Sequence, residues 1–148
     1  MHESSVRPPI FMSVVSCGRS PDAWPIDIAW GYAEGEIRSM LLKPAAGWAL
    51  DAWDKGCENQ HRIGLEYLLK DGKESLDACL ILNAALGQCD VYAGSPEMDS
   101  LWLFKLYKAA KVDPNFRLVP MSANFEGISR ASDGVERLRS AAKVAQTA

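Results

Sequence analysis

The first third of the chain alternates with the two-residue period of β-structure, and the second half changes to helical period. That switch constrains the fold more than any other feature of the sequence. Ile10–Ser16 (IFMSVVS) is a short apolar run rich in strand formers, followed by Cys17-Gly18 and the turn-prone Ser20-Pro21-Asp22. Pro25–Tyr32 places Ile26, Ile28 and Trp30 on one face and Asp27 and Ala29 on the other. Beyond Ala33-Glu34-Gly35, the run Glu36–Leu42 alternates again, with Ile37, Ser39 and Leu41 against Arg38, Met40 and Leu42. Two alternating runs about a glycine-containing turn make a hairpin, so three strands are expected in an antiparallel meander.

The second half reads differently. Ser75 is a good N-cap before LDACLILNAAL, and Gly87 stands where a capping glycine belongs. Asp90–Ala93 is a brief strand. Ser95-Pro96-Glu97 supplies a cap, an N1 proline and an acidic first turn for a helix reaching about Lys111. Arg117–Val119 is a further short strand, and Ala131–Ala145 a final helix. Between the halves, Pro44–Asp71 reads as a long loop with one or two short helices. The expected architecture is a mixed-sheet α/β domain over residues 10–148, preceded by a flexible, proline-containing tail over residues 1–9.

With 148 residues and 48% hydrophobic content, the chain is long enough to bury a core without staples. Its formal charge is −3, which excludes binding to nucleic acid by net charge alone. Cations gather late, at Lys105, Lys108, Lys111, Arg117, Arg130, Arg137, Arg139 and Lys143. They read first as solvated helix faces and second as an anion-facing surface. Cys17, Cys57, Cys79 and Cys89 form no CxxC pair, and His2 and His61 are the histidines, so a zinc site of usual spacing is not supported. No leader-like apolar segment or membrane-spanning run is present, and reduced cysteines fit a cytoplasmic location.

The string FMSVVSCGRSPDAWPIDIAWGY, Phe11 to Tyr32, resembles the opening of the DEDD-type 3′–5′ exonucleases of the ribonuclease-H-like fold. Those proteins begin with a strand carrying D-x-E, then a small residue, Gly, S-P-D and a second strand. The resemblance continues through Trp48 and Trp53, through His61-Arg62-Ile63 (similar to an H-G-I segment) and through Leu82–Ala110. It implies a five-stranded mixed sheet, a three-strand antiparallel meander plus parallel strands, flanked by helices. It also implies four carboxylates holding two divalent metals, Mg²⁺ or Mn²⁺, with a histidine as general base.

Carried over position by position, most of that machinery is missing. The first-strand acids fall on Ser13 and Val15, the helix acid on Asp99, the base on Ser129 and the final acid on Gly134, with Asp133 one residue early. Ile10–Ser16 contains no acid in any register. The resemblance therefore implies a degenerate relative with no catalytic residues and no metal cofactor. Such a domain would serve as a module for single-stranded nucleic acid or a protein partner, including a homodimer. The competing reading is an active exonuclease rearranged around Asp99, with Asp27 or Asp133 and a metal ion. A third reading makes the groove a pocket for a small anion or nucleotide.

Each candidate also has a plain structural explanation. Asp99 suits a first helical turn electrostatically. His61 suits a packed loop, Asp27 a sheet edge, and Cys17 a small buried hydrophobe. Trp30 and Trp102 sit at core spacing, whereas Trp48 and Trp53 are candidates for stacking on bases. Lys105, Lys108 and Lys111, three apart on one helix, are the candidate backbone contacts.

Overall fold

The computed structural model describes residues 9–123, 125 and 127–147; the expected N-terminal tail lies outside them except for Pro9. Three strands, β1 (Ile10–Ser16), β2 (Pro25–Tyr32) and β3 (Arg38–Leu41), form the antiparallel meander that the alternation dictates. A 3-10 turn at Leu50–Ala52 and two short helices, α1 (Lys55–His61) and α2 (Leu65–Asp71), fill the irregular middle. Then come α3 (Ser75–Leu86), β4 (Asp90–Ala93), α4 (Pro96–Ala110), β5 (Arg117–Pro120) and α5 (Ala131–Thr147). The sheet order is β3-β2-β1-β4-β5, with β4 parallel to both β1 and β5. This is a mixed five-stranded α/β sheet of the ribonuclease-H-like kind.

Strand period two divides the core between the faces of the sheet. Ile10, Met12, Ile28, Trp30 and Met40 pack with α3 and α4 on one side, in a cluster that includes Leu82, Leu86, Leu103 and Leu106. Phe11 and Ala29 pack on the other side against Ala131, Val135 and Leu138. Those three α5 residues recur at helical spacing, which makes one apolar stripe aimed at the sheet. A third cluster closes the end of the sheet where β1 runs out, around Cys17, Trp24, Ile26, Ile63, Leu68 and Trp102.

Helix boundaries depart from the expected caps in two places. Ser75 is the first residue of α3, with Glu74 as its cap, and the Ser75 hydroxyl is buried without a partner among the described residues. Gly87 is not left-handed; Gln88 takes the positive φ of 65°. The α4 expectation holds better, since Ser95 precedes Pro96 and Lys111 closes the helix in the left-handed conformation (φ 61°).

Candidate functional site

The face of β1 that carries Phe11, Ser13 and Val15 looks toward α5, and the register sets Asp27 of β2 directly opposite Val15. Directly paired residues of antiparallel strands share a face, so Asp27 also points at α5. Its Oδ2 accepts a hydrogen bond from the Ala131 backbone N–H at 2.9 Å, capping the first residue of α5 from across the sheet. Burial pushes the Asp27 carboxyl above its ordinary range, while the Ala131 bond and the nearby Arg130 charge pull it back down. Asp133, which also raises it, is turned to α5's own start, where its Oδ2 accepts from Arg130 N–H at 3.1 Å.

One helical turn beyond Ala131, Gly134 meets β1. A Cβ built on Gly134 would overlap Ser13 Oγ and lie 2.5 Å from Ser13 Cβ. Helix and strand are thus in contact at a distance that no other residue type allows without movement. The close approach joins two of the positions singled out in the sequence, Ser13 and Gly134, and leaves no volume between them.

Asp99 lies in the first turn of α4 and is 4% exposed. Burial pushes its carboxyl up to about 7. Asp27 differs, since Arg130 and Asp133 both act on its carboxyl. The cation pair that the resemblance implies does not fit this donor set. Ser13 offers a neutral hydroxyl, Val15 and Gly134 offer no side-chain oxygen, and Gly134 occupies the gap against Ser13. Among the described residues there is no group of three or more His, Cys, Asp or Glu able to hold a metal ion.

Beside this contact, the end of β1 opens into a cleft of about 220 Å³, whose lining includes Val15, Ser16, Arg19, Gln60, His61 and Ser129. The sequence offers His61 as a loop or packing histidine; it is the last residue of α1 and 2% exposed, a packing position. Its Nδ1 accepts from the Ile63 N–H at 3.0 Å, which leaves the proton of the neutral ring on Nε2. Nε2 has no partner among the described residues. Burial, reinforced by Arg130 and opposed by Glu58, holds the imidazole below its usual titration range. Arg130 Nε donates to the His61 carbonyl at 2.8 Å and Gln60 donates to the Ile128 carbonyl, so α1 is stitched to the segment leading into α5. Arg19 and Gln60 escape a reading by sequence; the signal near them is His61-Arg62-Ile63, in which Arg62 takes a left-handed φ of 59°.

The remaining candidates lie elsewhere. Trp48 and Trp53 are half-buried around Trp24, with ring centroids 5.7 and 5.8 Å from it, and Trp53 Nε1 donates to Glu58 at 2.6 Å. Lys105 donates to the Pro21 and Ala23 carbonyls, tying α4 to the loop after β1. Lys108 and Lys111 line a groove between α4 and β5. The buried Cys17 accepts from Trp24 N–H at 3.4 Å, and burial raises its thiol, as befits a packing residue.

This sheet order, with one helix laid across β1 and β2 and two behind, is the architecture of the ribonuclease-H-like exonucleases. Among solved structures the chain is similar to Escherichia coli exonuclease I in complex with a dT13 oligonucleotide, at 11% identity and a TM-score of 0.74, covering 96% of this chain and 41% of that one. It is also similar to an apo exonuclease I (12% identity, TM-score 0.72, 95% and 42% covered). A moderately thermophilic exonuclease I from Methylocaldum szegediense matches at 12% identity and a TM-score of 0.60, with 94% and 36% covered. The chain thus spans about two fifths of the length of these proteins or less, and what it shares with them is the fold. No protein-family model matches the sequence, and no curated protein matches it.

Proposed function

We propose that this chain is a non-hydrolytic exonuclease-fold domain that binds single-stranded nucleic acid at the end of β1 without cutting it. The contact between Gly134 and Ser13 carries the reading: two positions that the resemblance would fill with carboxylates touch each other and bring no carboxylate. Ser13, Val15, Ser129 and Gly134 are then relics of a cleavage site, and Asp99 is a buried acid of the α4 start. What persists is a small cleft lined by Ser16, Gln60 and Ser129, with an exposed cation at Arg19. These are groups suited to phosphate and sugar oxygens.

Support for nucleic acid as the ligand comes from the fold, whose neighbours include exonuclease I held with single-stranded oligonucleotides. The test is fluorescence anisotropy with 5′-labelled single-stranded DNA and RNA at several salt concentrations, with the labelled strand recovered afterwards and sized. Saturable, salt-weakened binding with every strand intact is expected. Absence of binding at low salt, or strands shortened from the 3′ end, contradicts the proposal.

A further inference from the structure

One wall of the small cleft depends on a single imidazole. His61 ends α1, and its Nδ1 accepts the Ile63 N–H at 3.0 Å across an Arg62 held in the left-handed conformation. The ring meets Trp53 edge to face, with centroids 5.5 Å apart and planes at 76°. The carbonyl of the same residue accepts from Arg130 Nε at 2.8 Å, and the neighbouring Gln60 amide donates to the Ile128 carbonyl. Ring and backbone of one residue thus secure two joints: the turn that leaves α1, and the seam between α1 and the segment before α5.

The neutral ring suits this arrangement and the charged ring does not. A proton added at Nδ1 faces the Ile63 N–H, donor against donor, at 3.0 Å. Nε2 has no partner among the described residues, so the buried cation would hold two unsatisfied donors. The surrounding charges do not compensate. Arg130 lies against the His61 carbonyl, and Arg19 and Cys57 share the cleft wall. Asp27 and Asp133 are the acids on the Arg130 side. Glu58, one turn back on α1, is the acid nearest in the chain, and it already accepts from Trp53 Nε1 at 2.6 Å. Burial, opposed by Glu58 and reinforced by Arg130, keeps the imidazole below its usual value of 6.5.

We infer that protonation of His61 is an acid-triggered release, which breaks the Ile63 N–H bond, frees the end of α1 from the segment before α5 and opens the cleft between them. The seam offers the charged ring no partner, so the last turn of α1 gives way and the His61 carbonyl leaves Arg130. The neutral ring belongs to the closed form. Closure is therefore complete above about pH 6.5 and is lost as pH falls toward the lower value of the closed chain. The release is a property of the free chain and involves no nucleic acid, so it stands or falls apart from the ligand proposed above.

Two measurements on the full chain test it. Ring-nitrogen NMR on a His2→Ala chain, which leaves His61 as its one histidine, follows the ring from about pH 8 to about pH 5. A proton on Nε2 at neutral pH and a midpoint below about 6.5 are expected. Amide hydrogen exchange over the same range, corrected for its intrinsic pH dependence, reads the opening. The amides of α1, Ile63 and residues 127–131 should lose protection together, by up to about tenfold per pH unit, and stop losing it where the ring titration ends. His61→Asn offers an oxygen to the Ile63 N–H and takes up no proton, so its exchange profile should be flat. If that variant does not fold, the agreement between ring titration and exchange in the His2→Ala chain decides the matter. A ring that titrates at about 6.5 or above, protection that does not change with pH, or an equal loss in His61→Asn overturns the inference.

Discussion

The Asp27 carboxylate accepts a hydrogen bond from the Ala131 N–H at 2.9 Å, although the two residues are 104 positions apart. This bond fixes where α5 begins over the sheet, and one turn later it sets Gly134 on Ser13. A helix N-terminus carries orphan N–H groups and partial positive charge, so a buried carboxylate is stabilised there as well as stabilising.

Gly134→Ala tests that contact. Alanine is normally the better helix residue by about 1 kcal/mol. Here its Cβ meets Ser13, so we expect a net loss of about 1–3 kcal/mol in urea unfolding. Ser13→Gly removes the colliding atoms, and in that background the cost of Gly134→Ala should largely vanish, the non-additivity expected of touching residues. Equal costs in both backgrounds would show that the contact is not tight.

Asp99 gives a pH signature. Its carboxyl is pushed by burial from 3.8 to about 7, so the folded chain holds this proton more tightly than the unfolded one. The associated stability is complete below about pH 4 and is lost as pH rises through about 7. Asp99→Asn should therefore match the native chain in acid and exceed it by up to about 4 kcal/mol at about pH 8. Chemical unfolding at both pH values checks this, and a constant difference between the two proteins would contradict it.

Arg62 closes α1 in the left-handed conformation, with its N–H bonded to the Glu58 carbonyl. Glycine adopts that conformation without a Cβ penalty, so Arg62→Gly should stabilise the chain by about 0.5–1 kcal/mol. A thermal melt reads the shift, and a lower midpoint would show that the arginine side chain contributes more than its backbone costs.

Much of this architecture is legible in the sequence, because period and capping chemistry are local. The strand Ile10–Ser16 follows from a short run of apolar strand formers and Pro25–Tyr32 from alternation, and both appear with those limits. Gly87 shows where local reading stops. It looks like a left-handed cap, yet its missing Cβ serves a close approach to the Asn83 carbonyl, 2.7 Å from where that atom would lie. The site is less legible for the same reason. Asp27 reads as an edge residue until α5 is brought over it, and His61 reads as a loop residue until α1 and the segment before α5 enclose it. Trp48 and Trp53 look available for stacking until Trp24 is seen between them and the core.

Arg19 is the exposed cation of the cleft. Arg19→Ala should weaken binding of single-stranded nucleic acid evenly across sequences and reduce the slope of log affinity against log salt by roughly one phosphate contact. Anisotropy titrations at four salt concentrations measure both quantities. An unchanged slope would place the bound strand elsewhere on the molecule.

The central claim concerns cations, and anomalous diffraction from crystals soaked in Mn²⁺ with a nucleoside monophosphate addresses it most directly. The account predicts no pair of anomalous peaks between β1 and α5, with Gly134 still seated on Ser13. Two peaks about 3.5–4 Å apart beside Ser13 and Asp99, the spacing of a working two-metal centre, would contradict it.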